Sequence, residues 1–191
     1  IRAAKKSKYP NDIYVTSESK KILSISKKFG ANIILRPKGL SNNKIMTDAS
    51  IKHAMKTIDK KYDFIIYLQP TSPLRKNDDI DRAINIFLSS KADSLISAYK
   101  TNIFLWGKKS NSYYKPINYN YLKRPRSQDF SNFIENGSIY IFKPKIIKKT
   151  NCRLGGKISV YQMPKWQSID IDDISDFKEA EELFKKKLNY K

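Results

Sequence analysis

The chain has 191 residues, 40% of them hydrophobic, and a formal charge of +20 from 38 basic and 18 acidic side chains. That length holds one domain with a real core, and that apolar content excludes wholesale disorder. A single cysteine, Cys152, excludes an internal disulfide and a cysteine-cluster zinc site, and no apolar run is long enough to span a bilayer.

The charge is the strongest compositional signal. It fits nucleic acid, an anionic membrane or a phosphorylated small substrate. Lysine, however, is spread along the whole chain, and the 6 glycines leave little room for phosphate-cradling loops. The excess therefore reads as a general bias in residue usage, and neither nucleic acid nor membrane is expected as a partner. The opening Ile1-Arg2-Ala3-Ala4-Lys5-Lys6 lacks the charged-then-apolar plan of a signal peptide, so a cytoplasmic location is the default.

In chain order, Ile1 to Lys8 reads as the end of a helix and Pro10-Asn11-Asp12 as a turn. Ile13–Thr16 is β-rich. Lys20 to Phe29 presents Ile22, Leu23, Ile25 and Phe29 on a helical face, with Gly30 as its stop. Ala31–Leu35 is a second strand, Leu40–Lys44 a polar loop, and Thr47 to Ile58 a helix with Ile51, Ala54, Met55 and Ile58 inward. Phe64–Leu68 is a short apolar run that stops at the proline-bounded Gln69-Pro70-Thr71-Ser72-Pro73-Leu74-Arg75. Such a run suits a strand buried on both faces, and sheets of this kind carry ligand sites beyond their carboxyl ends. Gln69, Thr71, Ser72 and Arg75 stand at that end. As a bare motif, the stretch also reads as a strand-to-helix turn.

Asn77 is expected to cap the next helix, whose buried stripe is Ile80, Ala83, Ile84, Phe87 and Leu88. Ser94–Ala98 is a strand. The alternation of strand and helix predicts an α/β fold with a mainly parallel sheet. It breaks from Tyr99 to Ile134, a stretch rich in Tyr and Trp that reads as an inserted β-rich arm. Burial against another subunit and folding back on its own domain both suit its aromatics. Asn136-Gly137 then turns into strand Ser138–Phe142. A short helix follows at Lys145–Lys149, then a strand at Ile158–Gln162. The chain closes with Ser168-Ile169-Asp170-Ile171-Asp172-Asp173 and a helix running from Asp176 to Lys187.

Asp170 and Asp172 share one face of an extended segment, which makes a hard-oxygen pair suited to Mg²⁺. Asp172 or Asp173 also reads as a cap for the last helix. Arg36, Arg75, Arg124 and Arg126 are candidates for forked contacts with carboxylate or phosphate. The single histidine, His53, and Cys152 lack partners at ligand spacing, so structural roles are expected for both.

Several of these segments, in order, resemble one family. Leu68-Gln69-Pro70-Thr71-Ser72-Pro73-Leu74-Arg75 is similar to the signature loop of the acylneuraminate cytidylyltransferases, or CMP-sialic acid synthetases. Leu35-Arg36-Pro37 with Leu40 resembles their third-strand segment. Arg126-Ser127-Gln128-Asp129 and Asn136-Gly137-Ser138-Ile139-Tyr140-Ile141 resemble two further segments. Ser168-Ile169-Asp170-Ile171-Asp172 resembles their C-terminal metal-binding stretch.

The resemblance implies a three-layer α/β/α, Rossmann-like nucleotidyltransferase fold over residues 1–191, with residues 99–134 as a dimerisation arm. It implies transfer of CMP from CTP to the anomeric hydroxyl of a nine-carbon α-keto acid sugar, with pyrophosphate leaving, for cell-surface glycan such as lipopolysaccharide or capsule. Asp170 and Asp172 would hold Mg²⁺. Arg126, counted with them as catalytic, would meet the sugar carboxylate. Gln69, Thr71, Ser72, Arg75, Gln128 and Asn136 would line the substrate pocket, and Arg36 and Thr47 the nucleotide side. A homodimer is implied.

Two departures stand out. The family opens with a strand and an Arg/Gly/Ser/Lys-rich triphosphate loop, and this chain opens after them. As given, it is expected to be an N-terminally truncated, poorly stable fragment without activity of its own. Thr16-Ser17-Glu18 replaces the usual Ser-Thr-Asp, and Ser127 stands where a second basic residue is common, which leaves the sugar open. The alternatives are a non-catalytic nucleotide- or nucleic-acid-binding domain and a nucleotidyltransferase for another sugar acid.

Overall fold

A computed structural model describes residues 1–9, 12–41 and 46–188. Pro10, Asn11 and the 42–44 part of the expected polar loop lie outside them. The elements in order are α1 (Arg2–Lys5), β1 (Tyr14–Ser17), α2 (Lys20–Lys28), β2 (Asn32–Leu35), α3 (Thr47–Thr57), β3 (Ile65–Leu68) and α4 (Asp79–Ser89). They continue with β4 (Ser94–Thr101), β5 (Trp106–Ser110), β6 (Tyr113–Pro116), β7 (Asn132–Phe142), α5 (Pro144–Thr150), β8 (Ile158–Gln162) and α6 (Ile174–Lys187). Among the described residues no helix is long and apolar enough to cross a membrane.

The central sheet has the order β3-β7-β4-β8. β7 is antiparallel to β3 and β4, and β8 is parallel to β4, so three of the four strands run one way. β1 and β2 form a separate parallel pair.

Period-two alternation splits the sheet's side chains between two helical layers. Leu95, Ile139 and Ile141, with the half-buried Ile66 and Leu68, meet Ile80, Ala83, Ile84 and Phe87 of α4 on one face. Ala3 and Ala4 of α1 pack there too. Phe142, Ile65 and Tyr67 meet Ile51 and Met55 of α3 and Ile147 of α5 on the other. The three-layer α/β/α architecture follows from that division.

Four local expectations change. Asn77 does not cap α4: Asp78 occupies the cap position, and Asp79 instead accepts from the Lys76 amide at 2.5 Å. Asn136-Gly137 lies inside β7 and not before it, although both residues fall in a break of its pairing with β4 and Gly137 has φ +70. α2 buries Leu23 and Ser26, while Ile22, Ile25 and Phe29 stay exposed. Finally, the β4–β7 ladder continues into the arm, pairing Tyr99 with Ile134 and Thr101 with Asn132.

The arm itself is the hairpin β5–β6 followed by two short 3-10 turns. Its inner surface is an aromatic stack. Phe104 lies 4.7 Å from both Phe130 and Tyr119, and the Arg124 guanidinium stands 4.1 Å over the Phe104 ring. Its outer surface carries exposed Trp106, Tyr113, Tyr114, Ile117, Tyr121 and Leu122.

Candidate functional site

The site lies at the carboxyl end of β3 and is built on an irregularity in its neighbour. Ile96 pairs with Tyr140 and Ala98 with Glu135, so the single residue Ser97 faces Asn136, Gly137, Ser138 and Ile139. Gly137 sits at φ +70, where a side chain is strained, and a Cβ there would lie 3.1 Å from the Gln69 amide oxygen. The Ser97 hydroxyl bridges the irregularity: it accepts from the Ile139 amide at 2.7 Å and donates to Asn136 Oδ1 at 2.6 Å.

Backbone carbonyls released from the ladder hold the 69–76 loop. Ser72 donates to the Asn136 carbonyl at 3.3 Å. One terminal nitrogen of Arg75 donates to the carbonyls of Ser72 (2.6 Å) and Ser138 (3.0 Å), and both terminal nitrogens reach the Gln69 carbonyl. Burial lowers the Arg75 pKa to about 10, opposed by the Asp79 charge. Arg75 is therefore an internal brace, still cationic at neutral pH.

The acidic stretch lies across this loop. The Ile171 amide donates to the Thr71 carbonyl at 2.8 Å. Gln69 Nε2 donates to the Thr71 hydroxyl at 2.9 Å and approaches both Asp170 carboxylate oxygens at 3.4 Å. Asn136 Nδ2 reaches the Ser168 hydroxyl at 3.2 Å. Asp170 and Asp172 are exposed. Asp173, not Asp172, is the N-cap of α6, in a capping box with Asp176. The Asp172 carboxylate makes no hydrogen bond among the described residues, which leaves it available to a ligand.

Arg36 stands on the β1–β2 side. It pairs with Glu18 at 2.6 Å and donates to Ser41 and Ser50. Thr47 opens α3 and hydrogen-bonds Tyr67, whose pKa is raised chiefly by burial. Arg126 and Gln128 are exposed on the arm, where Arg126 pairs with Asp129 at 2.7 Å. Neither hydrogen-bonds the residues around Gln69 among the described residues. Hydrogen bonds thus join Gln69, Thr71, Ser72, Arg75, Asn136 and Asp170, and among the described residues none links Arg126 or Gln128 to them.

Residue-level reading misses a polar cluster on the same face as Gln69. The Arg153 guanidinium stands 4.2 Å from the Tyr140 ring centre and 5.6 Å from that of Tyr67, and pairs with the buried Asp48 at 3.1 Å. Tyr140 also hydrogen-bonds Glu135, and burial, then that bond, push its pKa up to about 12. The available signal was the two-residue spacing of Tyr67 and Gln69. Ser97 and Ser168 carried no comparable signal, because each acts through Asn136.

A family model described as cytidylyltransferase matches residues 1–191. An N-acylneuraminate cytidylyltransferase from Escherichia coli O18:K1:H7 is 29% identical over 201 residues, covering 100% of this chain and 46% of the relative. N-acylneuraminate cytidylyltransferase A of Danio rerio is 29% identical, covering 95% and 43%. The chain thus spans somewhat under half the length of these two relatives. A Campylobacter coli protein named post-translational flagellin modification protein B is 26% identical over 98% of the chain and 83% of its own length. A solved CMP:2-keto-3-deoxy-manno-octonic acid synthetase complexed with CTP superposes with TM-score 0.67 at 11% identity, over 97% of this chain and 85% of that one, a likeness of fold. With a match along its whole length, the chain belongs to the cytidylyltransferase family.

Proposed function

We propose that the protein transfers CMP from CTP to the anomeric hydroxyl of a sialic-type (nonulosonic) acid. The observation that carries this reading is the meeting of Gln69 with Asp170, 101 positions apart in sequence, at the carboxyl end of β3. The names of the Escherichia coli and Danio rerio relatives support the substrate class.

In this reaction the sugar's anomeric oxygen bonds to the α-phosphorus of CTP. The bond from that phosphorus to the bridging oxygen of the β-phosphate breaks, pyrophosphate leaves, and the hydroxyl proton passes to solvent or a nearby base. Positioning and electrostatics are the protein's main contribution to such a transfer. Gln69 and Asn136 hold the acidic stretch through their side-chain amides. Arg126 and Gln128, on the arm, are proposed for the sugar carboxylate. Arg36 and Thr47 lie toward the nucleotide.

The donor set fits Mg²⁺. Among the described residues no three His, Cys, Asp or Glu side chains converge, so an all-protein cage is not offered. Two exposed carboxylates flanking the tethered Ile171 amide suit a hard cation that keeps waters and shares phosphate oxygens. Asp170 and Asp172 would hold it, and when bound it would neutralise charge on the phosphates.

The exposed outer face of the arm supports homodimerisation as part of the proposal. The need for CTP is consistent with a cytoplasmic site of action, and the CMP-sugar would serve a glycosyl transfer to cell-surface glycan.

The test is pyrophosphate release by the intact protein with CTP, Mg²⁺ and a panel of nonulosonic acids, with 3-deoxy-octulosonic acid included. Turnover with a nine-carbon acid supports the proposal. Turnover with the eight-carbon acid alone reassigns the sugar. Silence across the panel removes the proposal.

A further inference from the structure

Gln167 ends the short 3-10 turn Lys165–Gln167 just before the acidic stretch, and it is completely buried. Its Nε2 donates to the Leu74 carbonyl at 2.7 Å and to Asp79 Oδ2 at 2.6 Å. Two acceptors on one nitrogen fix the orientation of the amide. Asp79, at 1% exposure, accepts in addition from the Tyr161 hydroxyl at 2.6 Å and the Lys76 amide at 2.5 Å. One carboxylate thus joins the first turn of α4, the far end of the 69–76 loop, strand β8 and the turn that leads into the acidic stretch.

Beyond Gln167 the chain has no regular structure until α6. Its tethers are Ser168 to Asn136, the Ile171 amide to Thr71, and the Asp172 and Asp173 amides to the Asp176 carboxylate at 2.9 and 3.1 Å. The only hydrogen bonds to the Asp170 or Asp172 carboxylates among the described residues are the 3.4 Å contacts between Gln69 and Asp170. Their positions are therefore inherited from the backbone, which is held at its leading end by Gln167, along its length through Ser168 and Ile171, and at its far end by Asp176.

We infer that Gln167, locked by Asp79, is a positioning residue that sets the acidic stretch against the 69–76 loop and so aims Asp170 and Asp172. The inference rests on the proposed role of those carboxylates. An apolar side chain of equal volume would fill the same space and release the stretch at its leading end. Partners one step removed from a metal commonly change affinity or activity by about 10- to 100-fold when lost.

The test compares Gln167→Met, which conserves volume, with Tyr161→Phe, which weakens the same buried cluster but leaves the Gln167 bridge in place. Mn²⁺ binding in the presence of CTP is followed by electron paramagnetic resonance, with kcat and the KM for CTP measured alongside. Gln167→Met is expected to weaken Mn²⁺ binding and lower kcat by about tenfold each, with KM for CTP within about twofold. Tyr161→Phe is expected to melt earlier with Mn²⁺ binding and kcat near wild type. If Gln167→Met only melts earlier, Gln167 is structural and the inference is overturned. If Gln167→Met does not fold, Gln167→Asn, too short to span both acceptors, takes its place. If the wild-type protein binds no Mn²⁺ with CTP, the metal role of the carboxylates fails separately. Hydrogen exchange of residues 168–172 then decides: faster exchange in Gln167→Met than in Tyr161→Phe supports the positioning role, and equal exchange overturns it.

Discussion

The side-chain amide of Gln69 faces the carboxylate of Asp170, 3.4 Å from each oxygen, while the same nitrogen binds the Thr71 hydroxyl at 2.9 Å. A donor so placed steadies a carboxylate without neutralising it. Gln69→Glu replaces that donor with a like charge and is expected to lower kcat by 100-fold or so, the scale of a misplaced reacting group. Gln69→Ala should be milder. Pyrophosphate release, with circular dichroism as the folding control, checks both, and equal losses would show that the charge at this position is immaterial.

Adjacent aspartates are expected to separate catalysis from stability. Asp172 is exposed, makes no side-chain hydrogen bond among the described residues and does not cap α6. Asp172→Asn is expected to abolish turnover with the melting temperature unchanged. Asp173 accepts from the Ser175 and Asp176 amides at 2.7 and 3.1 Å. Asp173→Ala should cost about 1 kcal/mol of stability, typical of a lost N-cap. Calorimetry and turnover on the pair would reveal a reversed assignment.

Arg75 is read in sequence as a ligand for the substrate, and its side chain is spent inside the protein. Three backbone carbonyls accept from its guanidinium. Arg75→Met would leave buried acceptors unpaired, at on the order of 3 kcal/mol. Urea denaturation should show the loss. Full stability with altered sugar KM would restore the ligand role.

Asp93 is one carboxylate through which acid should reduce stability. The Lys143 ammonium at 3.1 Å and the Lys157 amide, with Lys145 at 3.4 Å, hold its carboxyl down to about 2 from an ordinary 3.8. A carboxyl depressed in the folded state stabilises fully above its unfolded value. That contribution fades as pH falls from about 4 to about 2. Asp93→Asn should flatten the stability profile across that window, measured by thermal melts at fixed ionic strength. Gly156, at φ +64, brings a prospective Cβ to 2.6 Å from the same carboxylate, so Gly156→Ala should destabilise at every pH.

The order of strands and helices was legible because short apolar or β-rich runs alternate with segments of helical periodicity. The division of β7 between two faces is a finding of the structure, with Ile139 and Ile141 toward α4 and Phe142 toward α3 and α5. Asn136-Gly137 marked a real irregularity, but one that lies inside β7, because the strand resumes its pairing with β4 on both flanks. Asn77 misled because Asp78 and Asp79 compete for the same helix start, and burial of Asp79 with Tyr161 and Gln167 settles the contest. The meeting of Gln69 with Asp170 spans 101 residues and follows from no periodicity. It was reachable only through the resemblance of separated segments. The bracing role of Arg75 was invisible because it acts chiefly through carbonyls, which every residue has.

The mismatch opposite Ser97 has a consequence for how this chain tolerates change in length. Four residues of β7 span the place of one in β4, and the carbonyls they release are the anchorage of the 69–76 loop. Removing any one of residues 136–139 would move that anchorage while the apolar alternation on either side stayed readable. Length polymorphism should therefore be confined to places such as the β5–β6 tip at residues 110–113 and be absent between Glu135 and Tyr140.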